Sequence, residues 1–311
     1  MDSNSTFHRP VLLKEVISFL EPRSPGKYLD GTVGGGGHAR AILDASSPEG
    51  RLWGLDRDME AIEQASKVLK PFGERVNLVH AEFSHAQELL PGLSFDGILL
   101  DLGVSSHQLD TGSRGFSCDR NGPLDMRMDA TQGQTAAQIL AELDEEQVSR
   151  ILRSYGEEPL NRKLAREMVK TRRLNPIGTT GELAEIVRRS VPRKVERKSL
   201  VRVFQALRIL VNDELRILES ALQSLFAILA PEGRLAVISY HSLEDRPVKR
   251  FFNRQANPCT CPPQLPVCIC KRTPLAQVLT RKPVRTSLKE SESNPRSRSA
   301  RLRVLQKLAV N

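Results

Sequence analysis

Short β-rich runs alternate with helical patterns through the first hundred residues. Tyr28-Leu29-Asp30 ends a strand, a glycine-rich turn follows, and the chain from Ala39 reads as a helix. Arg51 to Asp56 (RLWGLD) predicts a second strand and Asp58 to Leu69 a second helix, while Val76 to Phe83 and Phe95 to Leu102 supply two more strands. Strands that alternate with helices of this length build βαβ units on a parallel sheet, with ligands expected at the carboxyl ends of the strands.

The alternation stops after Leu102. The next convincing strand is Gly233 to Tyr240, about 130 residues on, where a crossover needs only ~30. Between them, Thr135 to Tyr155, Arg162 to Arg173 and Thr180 to Arg189 have helical patterns separated by Pro159, Pro176 and Pro192. An inserted helical domain is the economical explanation. Val203, Leu207 and Val211 then share one stripe, continued at period 3.6 by Leu215, Leu218, Leu222, Leu225 and Leu229, so one or two helices lead back to the sheet. Glu244 to Arg254 is helical, a Cys- and Pro-rich stretch follows, and Ala300 to Leu305 is a plausible last strand. The expected organisation is a sheet domain over residues 1–107, an inserted helical domain over 108–204, and the rest of the sheet domain with a basic tail over 205–311.

A length of 311 residues with 39% apolar and 27% charged residues is enough for about two domains with real cores. No stretch approaches the ~20 apolar residues of a membrane span, and the opening MDSNSTFHRP lacks the pattern of a signal peptide. A cytoplasmic protein with no membrane partner is therefore expected. The net charge of +9 is uneven: residues 1–149 carry −10, residues 150–216 carry +9, residues 217–270 carry +1 and residues 271–311 carry +9. An acidic front followed by two basic blocks suits a catalytic module joined to surfaces that meet a polyanion, although solvated helix faces and a soluble tail would also account for it.

The turn YLDGTVGGGGH places four consecutive glycines, Gly34 to Gly37, where a ligand can approach backbone N–H groups at a helix start. Asp56, ending the second strand, can accept both hydroxyls of an adenosine ribose. Phe83 and Glu82 sit where an adenine would lie, and Asp101 ends the fourth strand facing the crevice. A tight turn, a surface carboxylate, a core Phe and a helix cap are the plain structural alternatives.

The motifs DGTVGGGGH, GLDRD, ILLDLGVSSHQLD, RGFS, GPLDMRMD, FQALRI with VNDEL, and ISYHSLEDRPVKRF occur in this order. Together they resemble the bacterial small-subunit ribosomal RNA cytosine-N4 methyltransferases, the methyltransferase H family, from about His8 to Leu305. The resemblance implies a class I, Rossmann-like sheet with an inserted helical domain. It also implies an S-adenosylmethionine-dependent enzyme that methylates the exocyclic amine of one cytidine in the decoding region of small-subunit ribosomal RNA, with the small subunit as partner. The family's cofactor positions map onto Gly36, Gly37, His38, Asp56, Phe83, Asp101 and Gln108, of which His38 and Gln108 come from the resemblance alone.

The N4 lone pair of cytosine is delocalised into the ring, so the amine needs a hydrogen-bond acceptor and close positioning against the methyl donor. Many amino-group methyltransferases carry Asp/Asn/Ser-Pro-Pro-aromatic at the end of the fourth strand; here the place holds Asp101-Leu102-Gly103-Val104. Asp101 could therefore hold the cofactor, accept the amine proton, or do both. After the fifth strand, His241, Ser242 and Asp245 are candidates for holding the cytosine edge and Arg246 for a phosphate, with Ser242 equally suited to cap the next helix. Paired charges at Arg162-Lys163, Arg172-Arg173, Arg188-Arg189, Arg193-Lys194 and Arg197-Lys198, and again at Arg296, Arg298, Arg301 and Arg303, suit RNA phosphates.

Two other classes share parts of this pattern. A nicotinamide-dependent dehydrogenase would keep the glycine loop and Asp56 but has no use for an Arg-rich tail, and a non-catalytic RNA-binding assembly factor would keep the basic blocks without needing Asp56, Phe83 and Asp101 at strand ends. Cys259, Cys261, Cys268 and Cys270 stand apart, within PCTCPPQLPVCIC. Four thiols so close could wrap a zinc ion, or remain reduced on a Pro-rich loop, since Cys-x-Cys is tighter than the usual C-x₂₋₄-C.

Overall fold

A computed structural model describes residues 10–262 and 269–309. Seven strands form one sheet: β1 (Lys27–Asp30), β2 (Arg51–Asp56), β3 (Val76–His80), β4 (Phe95–Asp101), β5 (Leu229–Ser239), β6 (Ala276–Val278) and β7 (Arg301–Lys307), in the order β3-β2-β1-β4-β5-β7-β6. β1 to β5 are parallel, and β7 pairs antiparallel with both β5 and β6. The order reverses between β1 and β4, which opens the crevice at the carboxyl ends where Rossmann-like sheets bind ligands. The sheet is thus the class I, Rossmann-like arrangement.

The chain divides into two compact units, Val104–Leu215 and the sequence on either side of it. In the sheet unit, β4 is buried through Ile98, Leu99 and Leu100, and the helices cover it from both faces. The run FDGILLD shows why: a parallel strand covered on both faces is a nearly continuous apolar stretch rather than an alternating one. Helix Gly37–Ala45 buries Ala39, Ile42 and Leu43, and helix Glu214–Ala227 contributes Leu218, Ala221, Leu222, Leu225 and Phe226 from its later turns. The helical unit has its own core, in which Leu152, Leu164, Leu183, Val187, Val203 and Leu207 are essentially excluded from water.

Several elements differ from expectation. The pattern Thr135 to Tyr155 is two helices, Ala136–Glu142 and Glu145–Gly156, because Asp144 caps the second by accepting from the Gln147 N–H while the Gln147 side chain returns to the Asp144 N–H. The stripe through Leu229 breaks at Asp213, in the left-handed region at φ 48°, and Leu229 itself opens β5. Helix Glu196–Asn212 crosses the boundary expected at residue 204, and its Leu200, Val203, Phe204, Ala206 and Leu207 belong to the core of the helical unit. On the other side that unit begins at Val104 rather than at 108. Helix Leu13–Leu20 and the three-residue β6 had no clear signal; the strand expected to reach Phe83 stops at His80.

Candidate active site

Three carboxylates mark the carboxyl ends of β1, β2 and β4: Asp30, Asp56 and Asp101. Parallel register brings them to one edge, since Asp30 pairs with Leu99 of β4 and Gly54 of β2, two residues short of Asp101 and Asp56 respectively. The Gly31–Gly36 turn leaves β1 between the other two. Its Gly34 N–H donates to Asp56 Oδ2 at 2.9 Å, and the Asp58 N–H donates to Oδ1 at 2.9 Å. Asp56 is thereby locked to the turn that it serves. Gly36 caps helix Gly37–Ala45 at φ 83°, a conformation other residues adopt only with strain. A Cβ on Gly34 would meet nothing nearer than the Thr32 carbonyl at 3.8 Å, so the turn borders open space of the kind a ligand fills.

Packing like charges together has a visible consequence. Burial, with Asp101 and Asp56 adding to it, pushes the Asp30 carboxyl up to about 8, even though its oxygen accepts the Thr32 N–H at 3.1 Å. Burial raises Asp56 as well, against the two N–H groups it accepts. A crevice that holds back ionisation of its own carboxylates favours a cationic ligand.

Asp101 is held on three sides. Its N–H donates to Thr32 Oγ1 at 2.6 Å and its Oδ1 accepts the Tyr240 hydroxyl at 2.9 Å. Burial raises Tyr240 well above its ordinary value, with Asp101 adding to the shift, so the phenol stays a donor. The His38 ring lies behind: Nε2 is 2.9 Å from the Val11 carbonyl, which can only accept, so Nε2 carries the proton. Nδ1 then presents its lone pair, 3.7 Å from Asp101 Oδ2. Burial pulls His38 down to about 4, so the ring is neutral and the pair is not a salt bridge at neutral pH.

Phe83 begins a short 3-10 turn, Phe83–His85, just past β3, and is partly buried against the sheet core. Among the residues after β5, His241 caps helix Ser242–Ala256, Ser242 is its first residue, and the buried Glu244 carboxylate accepts the Tyr240 N–H at 2.7 Å while facing His241 Nε2 at 3.1 Å. Asp245 has other partners than those expected. Its Oδ1 accepts Arg303 Nε at 2.6 Å and its Oδ2 accepts Arg303 Nη2 at 3.1 Å and Arg301 Nη1 at 3.4 Å. Burial alone would raise this carboxyl, but the two guanidiniums hold it below its ordinary value. Arg301 and Arg303 thus differ from the exposed tail expected for them: they tie β7 to this helix, and Arg303 is only 6% exposed. Arg246, Arg296 and Arg298 are exposed.

In the helical unit Gln108 is buried and forms a capping box: its Oε1 accepts the Ser105 N–H at 3.0 Å and its N–H donates to Ser105 Oγ at 3.1 Å. Arg188, Arg189, Arg193 and Lys194 are exposed; Arg188 lies near Glu185 and Glu196, and Arg189 donates to Thr171. Arg197 is spent on Asp119. Sequence reasoning missed Asp30, Thr32, Tyr240 and Glu244. The signal for Tyr240 was present, as a phenol ending the strand next to β4 inside the motif ISYHSLED.

Comparison with known proteins follows the same residues. Residues 5–308 match the model of the MraW methylase family. A ribosomal RNA small subunit methyltransferase H from Symbiobacterium thermophilum is 52% identical over 307 residues, covering 97% of this chain and 96% of that one. Proteins of the same name from Syntrophotalea carbinolica and Geotalea uraniireducens are 51% and 50% identical, over 97% and 98% of this chain and 98% and 100% of theirs. With the match running through the glycine turn, both flanking carboxylates and the motif after β5, the chain belongs to the MraW methylase family.

Proposed function

We propose that this protein transfers a methyl group from S-adenosylmethionine to the N4 amine of a cytidine in small-subunit ribosomal RNA, acting on the subunit in the cytoplasm. The carrying observation is the ring of Asp30, Asp56 and Asp101 around an open glycine turn at the sheet's switch point. The bound cofactor supplies a methyl group activated by a cationic sulfur. Everything else falls to the chain. Asp56, fixed by the Gly34 and Asp58 N–H groups, is positioned to accept ribose hydroxyls, and Phe83 in the turn just past β3 to cover the base. His38 Nδ1 and Asp101 Oδ2, two acceptors 3.7 Å apart, suit the N–H donors of the cofactor's ammonium group. Asp101, oriented by Tyr240, also offers the negative charge toward which a cytosine amine can release its proton.

The basic blocks support the RNA half of the reading. Arg188, Arg189, Arg193 and Lys194 in the helical unit and Arg246, Arg296 and Arg298 in the sheet unit are exposed, as residues that position a phosphate backbone without reading bases must be. A cytidine must be unstacked to enter a crevice, at a cost of a few kcal/mol that phosphate contacts can offset. The direct test supplies labelled S-adenosylmethionine with small subunits or naked ribosomal RNA from cells lacking this protein, followed by nucleoside analysis. N4-methylcytidine at one site is expected. Cofactor binding with no methyl transfer to either substrate would favour the non-catalytic assembly factor.

Ionisation of Asp30 gives a second expectation. With the ligand-free carboxyl at about 8, Asp30 is largely protonated at pH 6 and ionised at pH 9. A bound cation favours the ionised form, so binding releases protons and tightens as pH rises, levelling above pH 8. S-adenosylhomocysteine shares the ammonium but has a neutral sulfur, so the ratio of the two affinities isolates the sulfonium. That ratio should move severalfold toward S-adenosylmethionine between pH 6 and 9 and become flat in Asp30→Asn. A flat ratio in the unaltered protein would separate Asp30 from the sulfonium.

A further inference from the structure

Beyond the crevice, the sheet unit holds a cluster that methyl transfer does not use. Helix Ser242–Ala256 ends at Asn257, and the Leu275 N–H donates to the Gln255 carbonyl at 2.9 Å just before β6 begins. The chain between these points forms a closed loop in which the described residues have no helix or strand. Long connections inside compact domains are usually ordered by something or serve a function. Apolar burial does not order this one near Cys270, since the adjacent Ile269 is 71% exposed. Nevertheless the Sγ atoms of Cys259, Cys261 and Cys270 all lie within 4.8 Å of one another.

We propose that Cys259, Cys261 and Cys270 are thiolate ligands of a structural zinc ion that clips this loop. Tetrahedral zinc with Zn–S bonds of ~2.3 Å sets its sulfurs ~3.8 Å apart, so the observed spacing closes onto a metal by small rotations of the side chains. A disulfide would join only two of these sulfurs, whereas one metal ion engages all three at once. Cys268 lies outside the described residues. Soft thiolates select zinc over magnesium or calcium, which take oxygen ligands. Each thiol gives up its proton to solvent as it binds, so three thiolates on Zn²⁺ leave one net negative charge. Lys271 and Arg272 follow directly after Cys270 and offset that charge.

Within one Cys-x-Cys pair alone, the tight spacing is unfavourable for chelation. It is reconciled by chain reversal: Cys259 and Cys261 come from the outgoing limb of the loop and Cys270 from the returning limb, so the ion joins two strands of chain rather than being wrapped by one. Within the stretch bounded by the Gln255–Leu275 hydrogen bond the clip closes the chain a second time, and a loop closed twice loses much of its conformational freedom. None of the residues assigned to the cofactor lies in it.

The test uses the full-length protein, purified untagged under reducing conditions without chelator. Elemental analysis should find one zinc per chain. Growth with cobalt in place of zinc should give the intense sulfur-to-cobalt absorption of a thiolate site. Cys259→Ser with Cys261→Ser should lose the metal and its cobalt bands while S-adenosylmethionine affinity stays within about twofold. Zinc well below stoichiometric in the unaltered protein, with every cysteine reacting freely with a thiol reagent, would overturn the site. So would stoichiometric zinc retained by the double variant. Should the double variant fail to fold, the cobalt spectrum of the unaltered protein decides alone: no charge-transfer bands, no thiolate site.

Discussion

Asp101→Asn should lower kcat/KM for methyl transfer by about 10²–10³-fold while the protein remains folded. The substitution keeps the shape of the side chain, and the amide oxygen can still accept the Tyr240 hydroxyl that now reaches Oδ1 at 2.9 Å. It removes the charge and replaces Oδ2 with a donor or leaves it neutral. On the His38 side, an acceptor facing the Nδ1 lone pair at 3.7 Å is the arrangement that welcomes an ammonium; an asparagine NH₂ there would itself bond to Nδ1 and fill the gap. S-adenosylmethionine and S-adenosylhomocysteine share that ammonium, so their affinities should fall together, by about tenfold or 1.4 kcal/mol. Separate measurement of binding and turnover then apportions the effect. If both affinities were unchanged while kcat alone collapsed, Asp101 would serve the cytosine amine only and the holding role would be lost. A neutral His38 is required for this role, because a protonated ring would satisfy Asp101 and compete with the cation. Burial, which pulls that ring down to about 4, secures it.

The parts of this site legible in the sequence are those that depend on the chain's local order. Alternation of apolar strands with helices placed β1, β2 and β4 within a residue or two, and each carries its carboxylate at the end. Hence Asp56 and Asp101 could be named from position alone. Asp30 could not, because its significance comes from burial beside two other carboxylates, a property of register across three strands. Tyr240 and Asp245 show the same limit in opposite directions. Both belong to one motif after β5, and both could have faced the crevice. Which of them does is decided by β7, a strand some sixty residues later: pairing Ser239 with Arg301 and Val237 with Arg303 puts two guanidiniums in line with Asp245. The sequence offered those arginines as part of a basic tail, and only antiparallel pairing turns them inward. His38 is similar, since the carbonyl that fixes its tautomer comes from Val11, in a segment with no predicted element.

That inward turn makes Asp245 the largest stability determinant among the residues proposed for the chemistry. Asp245→Asn should destabilise the protein by about 3–5 kcal/mol, because Arg303, 6% exposed, is left as a buried charge without its counter-ion. At roughly 2–4 °C per kcal/mol for a protein of this size, the melting temperature should fall by about 6–20 °C. The pH dependence has a definite sign. Arg303 and Arg301 hold the Asp245 carboxyl below its unfolded value despite burial, so its contribution is fully present above the unfolded value near 4 and disappears as pH falls through the lower folded value. The variant should therefore lose stability at neutral pH but show a shallower acid limb than the unaltered protein. Asp245→Asn with Arg303→Met tests the role directly. Replacing both partners removes the stranded charge, and buried pairs exchanged for apolar side chains are often neutral in stability, so most of the lost melting temperature should return. If the pair only fastens β7 to the helix after β5, methyl transfer returns with the stability. If Asp245 also grips the cytosine, the double variant will be stable, will bind S-adenosylmethionine normally, and will still be slow. The geometry favours the first outcome, because both carboxylate oxygens already accept guanidinium N–H groups and a base edge would have to displace one of the arginines to reach them.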